Sequence, residues 1–267
     1  IQSSGMLANA PPEPCVSGRP PVLPRAAAPV LKYACCGIEI ARHGRAGLRG
    51  LAAGMMSAAE FNYRKGTGLH EAGDFAGALA AFDMSLQTAP RVAAVHYGRG
   101  NALIMLRRLE EAVEAYGRCV EIEPGHVAAL YNQATALAQL QRWQDALAAL
   151  DGIVGKYPAM ADAWNNRACV LQALGRTEDA LENTMRVLQL RPSDSRALYN
   201  AGMMFLSLKR FDEAQQLLAR ALEIDPSHGD ALGGLASAAL RACDWGAVGR
   251  LLPRIVSAMV KPLASGL

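Results

Sequence analysis

Ala129-Leu130-Tyr131-Asn132-Gln133-Ala134, Ala163-Trp164-Asn165-Asn166-Arg167-Ala168 and Ala197-Leu198-Tyr199-Asn200-Ala201-Gly202 are three versions of one hexapeptide, set 34 residues apart. The same step runs outward from them. Prolines stand at Pro90, Pro124, Pro158, Pro192 and Pro226, and alanines at Ala78, Ala112, Ala146, Ala180 and Ala214. A small residue recurs at Gly66, Gly100, Ala134, Ala168, Gly202 and Ala236. An aromatic or apolar residue recurs at Phe75, Leu109, Trp143, Phe211 and Trp245, with Thr177 the exception. Self-similarity at such a period marks a repeat architecture, in which each unit buries its apolar face only by stacking on a neighbour.

Counted from Ala59, Ala93, Val127, Ala161, Ser195 and Gly229, each unit reads as two amphipathic helices. Helix A is expected over unit positions 1–14 and helix B over 18–31. The turn between them carries Gly73-Asp74, Arg107-Arg108, Gln141-Arg142, Gly175-Arg176 or Lys209-Arg210. Helix B then opens on acidic residues such as Glu110-Glu111, Glu178-Asp179 and Asp212-Glu213, which complement the positive end of the helix dipole. The proline at position 32 ends helix B, because its ring cannot continue the hydrogen-bond ladder. On a helical wheel of about 100° per residue, positions 4, 7, 8 and 11 share one face and 2, 5, 6, 9, 12 and 13 the opposite one. The first face is assigned to packing and the second to the concave surface.

This pattern resembles the tetratricopeptide repeat, a helix–turn–helix with small residues at positions 8 and 20 and proline at 32. The resemblance covers residues 59 to about 256. It implies an all-α, right-handed superhelical solenoid of five full units and a degenerate sixth, with a concave groove that binds peptides. In the sixth unit Val248 replaces the alanine, Gly246 and Gly249 weaken helix B, and Pro253 falls inside it. A new helix starting at Pro253 is one way to accommodate that ring. Three regions are expected: a disordered or non-native extension at 1–55, the solenoid at 56–256, and at 257–267 a tail or the start of a truncated downstream region. In the first of these, proline pairs stand at 11–12 and 20–21 and no helical period is sustained; a natural start is expected at Met55 or Met56.

Composition agrees and narrows the function. Of 267 residues, 51% are apolar, 19% charged and 6% aromatic, which supports a large helical core and excludes global disorder. The net charge of +3 comes from the first 59 residues, which carry +4; the rest is near neutral. A near-neutral body offers no basic stripe for nucleic acid. No apolar run reaches the roughly 18 residues that span a bilayer, so no membrane partner is expected. Cys15, Cys35, Cys36, Cys119, Cys169 and Cys243 form no CxxC pair and have no histidine at metal spacing, so they read as reduced thiols of a cytoplasmic protein. His43, His70, His96, His126 and His228 are scattered, and no phosphate loop or nucleophile motif occurs. No catalytic residue, metal or cofactor is therefore assigned.

The informative residues are on the groove face. Position 6 reads Arg64, Gly98, Asn132, Asn166, Asn200 and Gly234. A side-chain amide offers a donor and an acceptor, which matches the backbone of an extended peptide almost regardless of its sequence. Position 5 reads Tyr63, Tyr97, Tyr131, Asn165, Tyr199 and Gly233, and tyrosine offers rigid area with a polar tip. Asn101 and Thr135 at position 9 and Gln139 at position 13 add polar partners. The candidate site is thus Asn132, Asn166 and Asn200 with Tyr97, Tyr131, Tyr199, Asn101, Thr135 and Gln139. Inter-repeat packing is the competing use of the same residues.

The hexapeptides at 129–134, 163–168 and 197–202 also resemble the repeats of O-linked N-acetylglucosamine transferases, whose grooves carry an asparagine ladder at this position. Leu240-Arg241-Ala242-Cys243-Asp244-Trp245, followed by Leu251-Leu252-Pro253, is similar to the junction before the transferase domain in bacterial relatives. Two functions follow. One is a non-catalytic scaffold that binds extended peptide segments or other proteins, with homo-oligomers through the terminal repeats left open. The other is the substrate-recruiting arm of a protein glycosyltransferase whose catalytic half is absent here.

Overall fold

The computed structural model describes residues 57–264, with side chains through 256. The expectations placed on residues 1–55, Cys15, Cys35, Cys36 and His43 lie outside the described residues. Among these, the structure is twelve α-helices joined by short turns, without a strand. Helices A are α1 (Ala58–Glu71), α3 (Ala93–Met105), α5 (Val127–Gln139), α7 (Ala161–Ala173), α9 (Ser195–Ser207) and α11 (Gly229–Arg241). Helices B are α2 (Phe75–Thr88), α4 (Leu109–Ile122), α6 (Trp143–Lys156), α8 (Thr177–Leu190), α10 (Phe211–Ile224) and α12 (Trp245–Ala264). Two compact bodies divide within α5, at Asn132 and Gln133.

One turn geometry serves all six units. Helix A ends in a Schellman motif: the Arg108 N–H donates to Leu103 O at 3.0 Å and the Arg107 N–H to Ile104 O at 3.0 Å. The residue at position 15 is left-handed throughout: Gly73 and Gly175 at φ 84° and 76°, but also Arg107, Gln141, Lys209 and Cys243 at 57–61°. Only the two glycines adopt that conformation without strain from a Cβ. The next residue caps helix B. Asp74 and Asp244 accept the Gly77 and Ala247 N–H groups, both at 2.9 Å. Arg108, Arg142, Arg176 and Arg210 instead reach forward to Glu111, Asp145, Asp179 and Glu213. Those exposed pairs hold the Glu111 and Glu213 carboxyls below the ordinary carboxylate range, chiefly through the hydrogen bonds from Arg108 and Arg210.

The first five B helices stop two residues before the recurring proline. The intervening residue is forced out of the helical region: Ala89 sits at φ −139°, ψ 79° and Glu123 at −130°, 85°. The last helix differs. No new helix begins at Pro253; α12 runs unbroken through it from Trp245 to Ala264.

Within the first body α1 packs on α2, α2 on α3 and α3 on α4. Large aromatics on helix B fill the seam, and glycines on helix A make room. A Cβ on Gly66 would lie 2.8 Å from the Phe82 ring, and one on Gly100 would lie 2.6 Å from Tyr116. In the second body α6 to α12 pack in the same consecutive order. There position 8 is Ala168 or Gly202, and helix B presents Leu150, Thr184 and Leu218, all buried.

The wheel needs one correction. Position 8 and position 11 are buried as expected, but positions 3 and 10 are buried more consistently than 4 and 7: Val95, Ala129, Ala163 and Ala197 at position 3, and Ala102, Ala136, Val170 and Met204 at position 10. α3, α7, α9 and α11 each pack on their own helix B and on the preceding one, so their buried arc is wider than one partner would require. Position 7 carries the pairing arginines Arg99 and Arg167 in two units, while Ala201 and Leu235 are buried there in two others.

Candidate functional site

In the first body the sequence-derived residues converge on one oxygen. Tyr116 of α4 is buried, and its hydroxyl donates to Asn101 Oδ1 at 2.8 Å. Asn132 Nδ2 donates to the same oxygen at 3.2 Å. Burial pushes the Tyr116 phenol well above its ordinary range, so it stays a neutral donor. With both lone pairs of Oδ1 engaged, the Asn101 amide is fixed with its carbonyl toward Tyr116 and Asn132. Tyr97, one turn earlier on α3, lies over the His126 ring at 4.7 Å. His126 is held in turn by accepting the Ala129 N–H at 3.2 Å at the head of α5. Tyr131 is only 8% exposed, so its ring belongs to the packing and little of it is surface.

The second body repeats part of this arrangement. Asn166 Nδ2 donates to Thr135 Oγ1 at 3.1 Å, the same step from position 6 to position 9 of the preceding unit. Tyr199 lies over His228 at 4.8 Å, and His228 Nδ1 accepts the Ala231 N–H at 3.3 Å. Asn200 on α9 and Gln139 at the end of α5 are half-buried. The asparagines are therefore oriented side chains: a donor of each of Asn132 and Asn166 is spent on the neighbouring unit, while the amide keeps a second N–H.

Two features escaped the sequence reading. The histidines at the head of α5 and α11 are helix caps stacked on position-5 tyrosines, a pairing whose signal was the shared 29-residue offset of Tyr97 to His126 and Tyr199 to His228. The position-7 arginines cross to the preceding helix B. Arg99 Nε meets Asp83 Oδ1 at 2.7 Å and Arg167 Nε meets Asp151 Oδ1 at 2.6 Å; Arg167 also donates to Asn183 Oδ1 of its own helix B at 2.7 Å. Opposite charges recurring 16 residues apart were the legible sign.

Among the described residues no group of three or more histidine, cysteine or acidic side chains could hold a metal ion. Cys119, Cys169 and Cys243 are in no disulfide. Burial raises the Cys119 thiol to about 11, which keeps it protonated and unreactive at neutral pH. No helix among the described residues is long and apolar enough to cross a membrane.

Comparison with known proteins agrees with this geometry. Tetratricopeptide repeat models match residues 63–126, 106–161 and 131–184, then 159–227 and 205–265. No curated protein sequence matches the chain. Among solved structures, the crystal structure of YrrB, described as a TPR protein with an unusual peptide-binding site, is 24% identical with a TM-score of 0.58; the match covers 64% of this chain and 89% of that one. MamA from residue 41 to its end, of Desulfovibrio magneticus RS-1, is 20% identical with a TM-score of 0.62, over 65% of this chain and 98% of that one. The Pseudomonas aeruginosa pilF protein is 16% identical with a TM-score of 0.62, over 79% and 93%. These likenesses are of fold. With the repeat models spanning 63–265 and the turn, seam and proline geometry recurring in register, the chain belongs to the tetratricopeptide repeat family.

Proposed function

We propose that the protein is a non-catalytic scaffold that binds extended peptide segments of other proteins along the helix-A face of its repeats. The observation that carries this reading is the fixed amide at position 6. Asn132 and Asn166 are each oriented by a bond to the preceding unit and retain hydrogen-bonding capacity beyond it. An oriented amide binds at less entropic cost than a mobile one. The face is short of charge at these positions, which suits a peptide backbone better than a charged terminus. YrrB, with its peptide-binding site, is a precedent within the same fold. The recruiting arm of an O-linked N-acetylglucosamine transferase-like enzyme would use the same residues. No observation beyond the asparagines and the Leu240–Pro253 segment favours it, so the scaffold reading is preferred.

The test is Asn132→Ala, Asn166→Ala and Asn200→Ala together, titrated with a panel of unrelated extended peptides. Each amide contributes about 0.5–1.5 kcal/mol as a neutral hydrogen bond. The triple variant is expected to bind every peptide roughly 10- to 1000-fold more weakly, by a similar factor across the panel. Titrations run well below the melting midpoint absorb the stability lost with the bonds to Asn101 and Thr135. Unchanged affinity would make the asparagines purely structural. Tyr97→Ala and Tyr199→Ala are expected to change preference among peptides instead.

A further inference from the structure

The contacts between a helix B and the helix A that follows it recur by unit position. Position 3 packs on positions 27 and 28: Ala197 of α9 clusters with Val187 and Leu188 of α8. Position 6 packs on position 24: a Cβ on Gly98 of α3 would lie 2.7 Å from the Phe82 ring of α2, and one on Gly234 of α11 would lie 3.4 Å from Leu218 of α10. Position 7 pairs with position 25, as Arg99 does with Asp83 and Arg167 with Asp151. Position 3 is buried in α3, α5, α7, α9 and α11, and position 24 in α2, α4, α6, α8 and α10.

Both halves of this joint are left open, one in each body. In α12, Leu252 at position 24 is 56% exposed and Val256 at position 28 is 51% exposed, whereas Leu222, the counterpart of Val256 in α10, is buried. In α1, Phe61 at position 3 is 55% exposed. Among the described residues no helix precedes α1 and none follows α12. A terminal repeat of a soluble array ordinarily turns a polar face outward. Here the two outer faces carry large apolar side chains, and they are complementary: α12 is a helix B with no helix A upon it, and α1 a helix A with no helix B beneath it. α1 also fits the joint in detail, with Lys65 at position 7 where Arg99 and Arg167 stand and the small Gly68 at position 10. A second α12 fits less well. The helix has no acidic residue, so a two-fold pairing would set its exposed Arg250 and Arg254 near their own copies without a carboxylate between them.

We propose that α12 of one copy receives α1 of a second, so that the chain associates head to tail through the joint it uses internally. Phe61 covers Ile255 and Val256. The stem of Arg64, whose guanidinium is held by Glu60 at 2.6 Å, lies over Leu252. Lys65 faces Pro253, which stands at position 25 where α2 and α6 have an aspartate. The ion pair of the inner joints is therefore missing, and the association is weak and concentration-dependent. Because the two surfaces differ, each contact leaves one of them free on either copy.

Sedimentation equilibrium of the intact chain over a concentration series tests this. The average mass of the parent is expected to rise with concentration. Phe61→Glu and Leu252→Glu change side chains that are exposed in the single chain, so each variant should melt as the dilute parent does. Alone, each should stay a monomer, because every pair then contains a blocked surface. An equimolar mixture should form a dimer and nothing larger, since Phe61→Glu keeps an open α12 and Leu252→Glu an open α1. Pro253→Asp supplies the missing carboxylate and should tighten association about 2- to 5-fold, a gain that Lys65→Ala should abolish. A parent that stays monomeric throughout overturns the proposal, as does a mixture that stays monomeric. Self-association of Phe61→Glu alone would overturn it too, by showing that α12 pairs with itself or with another surface. A gain from Pro253→Asp that survives Lys65→Ala would overturn the assigned contact.

Discussion

The first body, residues 57–132, and the second, residues 133–264, solve one packing problem with different chemistry. In the first, helix B presents Phe82 and Tyr116, and helix A yields with Gly66 and Gly100. In the second, helix B presents Leu150, Thr184 and Leu218, against Ala134, Ala168 and Gly202 in the same columns. Volume moves between the two helices while the unit length stays at 34 residues. The difference reaches the proposed binding face. Tyr116 is a core residue with a polar tip, so in the first body the core and the Asn101–Asn132 pair form a single hydrogen-bonded network. In the second, Thr184 turns its hydroxyl back to Ala180 O, and Asn166 donates to Thr135 Oγ1. The proposed binding face of the first body is thus tied to its core through Tyr116.

The largest expected effect tests what the bodies share. Position 20 is fully buried in both, at Ala112 and Ala180. Ala112→Leu and Ala180→Leu insert three carbons where two helices cross and should each cost about 3 kcal/mol by overpacking. Equal losses in chemical denaturation would show that this contact does not depend on the choice of aromatic or aliphatic seam. A loss in one body alone would mean that the bodies are not built on one template.

Position 8 should separate them. Gly100→Ala drives a Cβ to 2.6 Å from a Tyr116 ring whose hydroxyl is tied to Asn101. Gly202→Ala meets Leu218 Cγ at the same 2.6 Å, but a leucine can change rotamer. Losses of about 2 kcal/mol for the first and about 1 kcal/mol for the second are expected, read from denaturation midpoints. The reverse order would show that the ring yields more easily than the leucine.

Tyr116→Phe removes one hydroxyl and leaves the ring. It should cost about 1 kcal/mol. Its sharper consequence is local, because Asn101 Oδ1 loses one of its two donors. Amide exchange and side-chain amide resonances should change at Asn101 and Asn132 and stay as they were at Asn166 and Asn200. A change spread through the second body would break the contrast drawn here.

How far the sequence carried these conclusions varies by element. The helix pairs, their turns and their ends were legible, because proline, alanine and small-residue columns act through sterics that depend little on neighbours. The buried arc of helix A was legible only in part. A helical wheel ranks faces but does not say that two helices B flank α3, α7, α9 and α11, and so it does not mark positions 3 and 10. The asparagine column was visible, but its bonds to position 9 were not, since they join residues 31 apart across two units.

The smallest effect concerns the turn that both bodies repeat. Position 15 is left-handed at Arg107 in the first body and at Gln141 and Lys209 in the second, with φ of 61°, 58° and 61°. A residue with a Cβ pays about 1–2 kcal/mol to sit there. Glycine avoids that cost but loses more chain entropy on folding. The balance favours glycine, so Arg107→Gly, Gln141→Gly and Lys209→Gly should each stabilise by about 0.5–1 kcal/mol. None of the three side chains makes an ion pair among the described residues, so little is lost with them. The reciprocal change, Gly175→Ala at φ 76°, should destabilise by about 1 kcal/mol, although nothing lies within 4 Å of the added Cβ. Since the strain belongs to the backbone and not to the seam, the gains should match in the two bodies and add in the triple variant, measured as a stepwise rise in the denaturation midpoint. A gain confined to one body would mean that the turn, too, is tuned to the helices it joins.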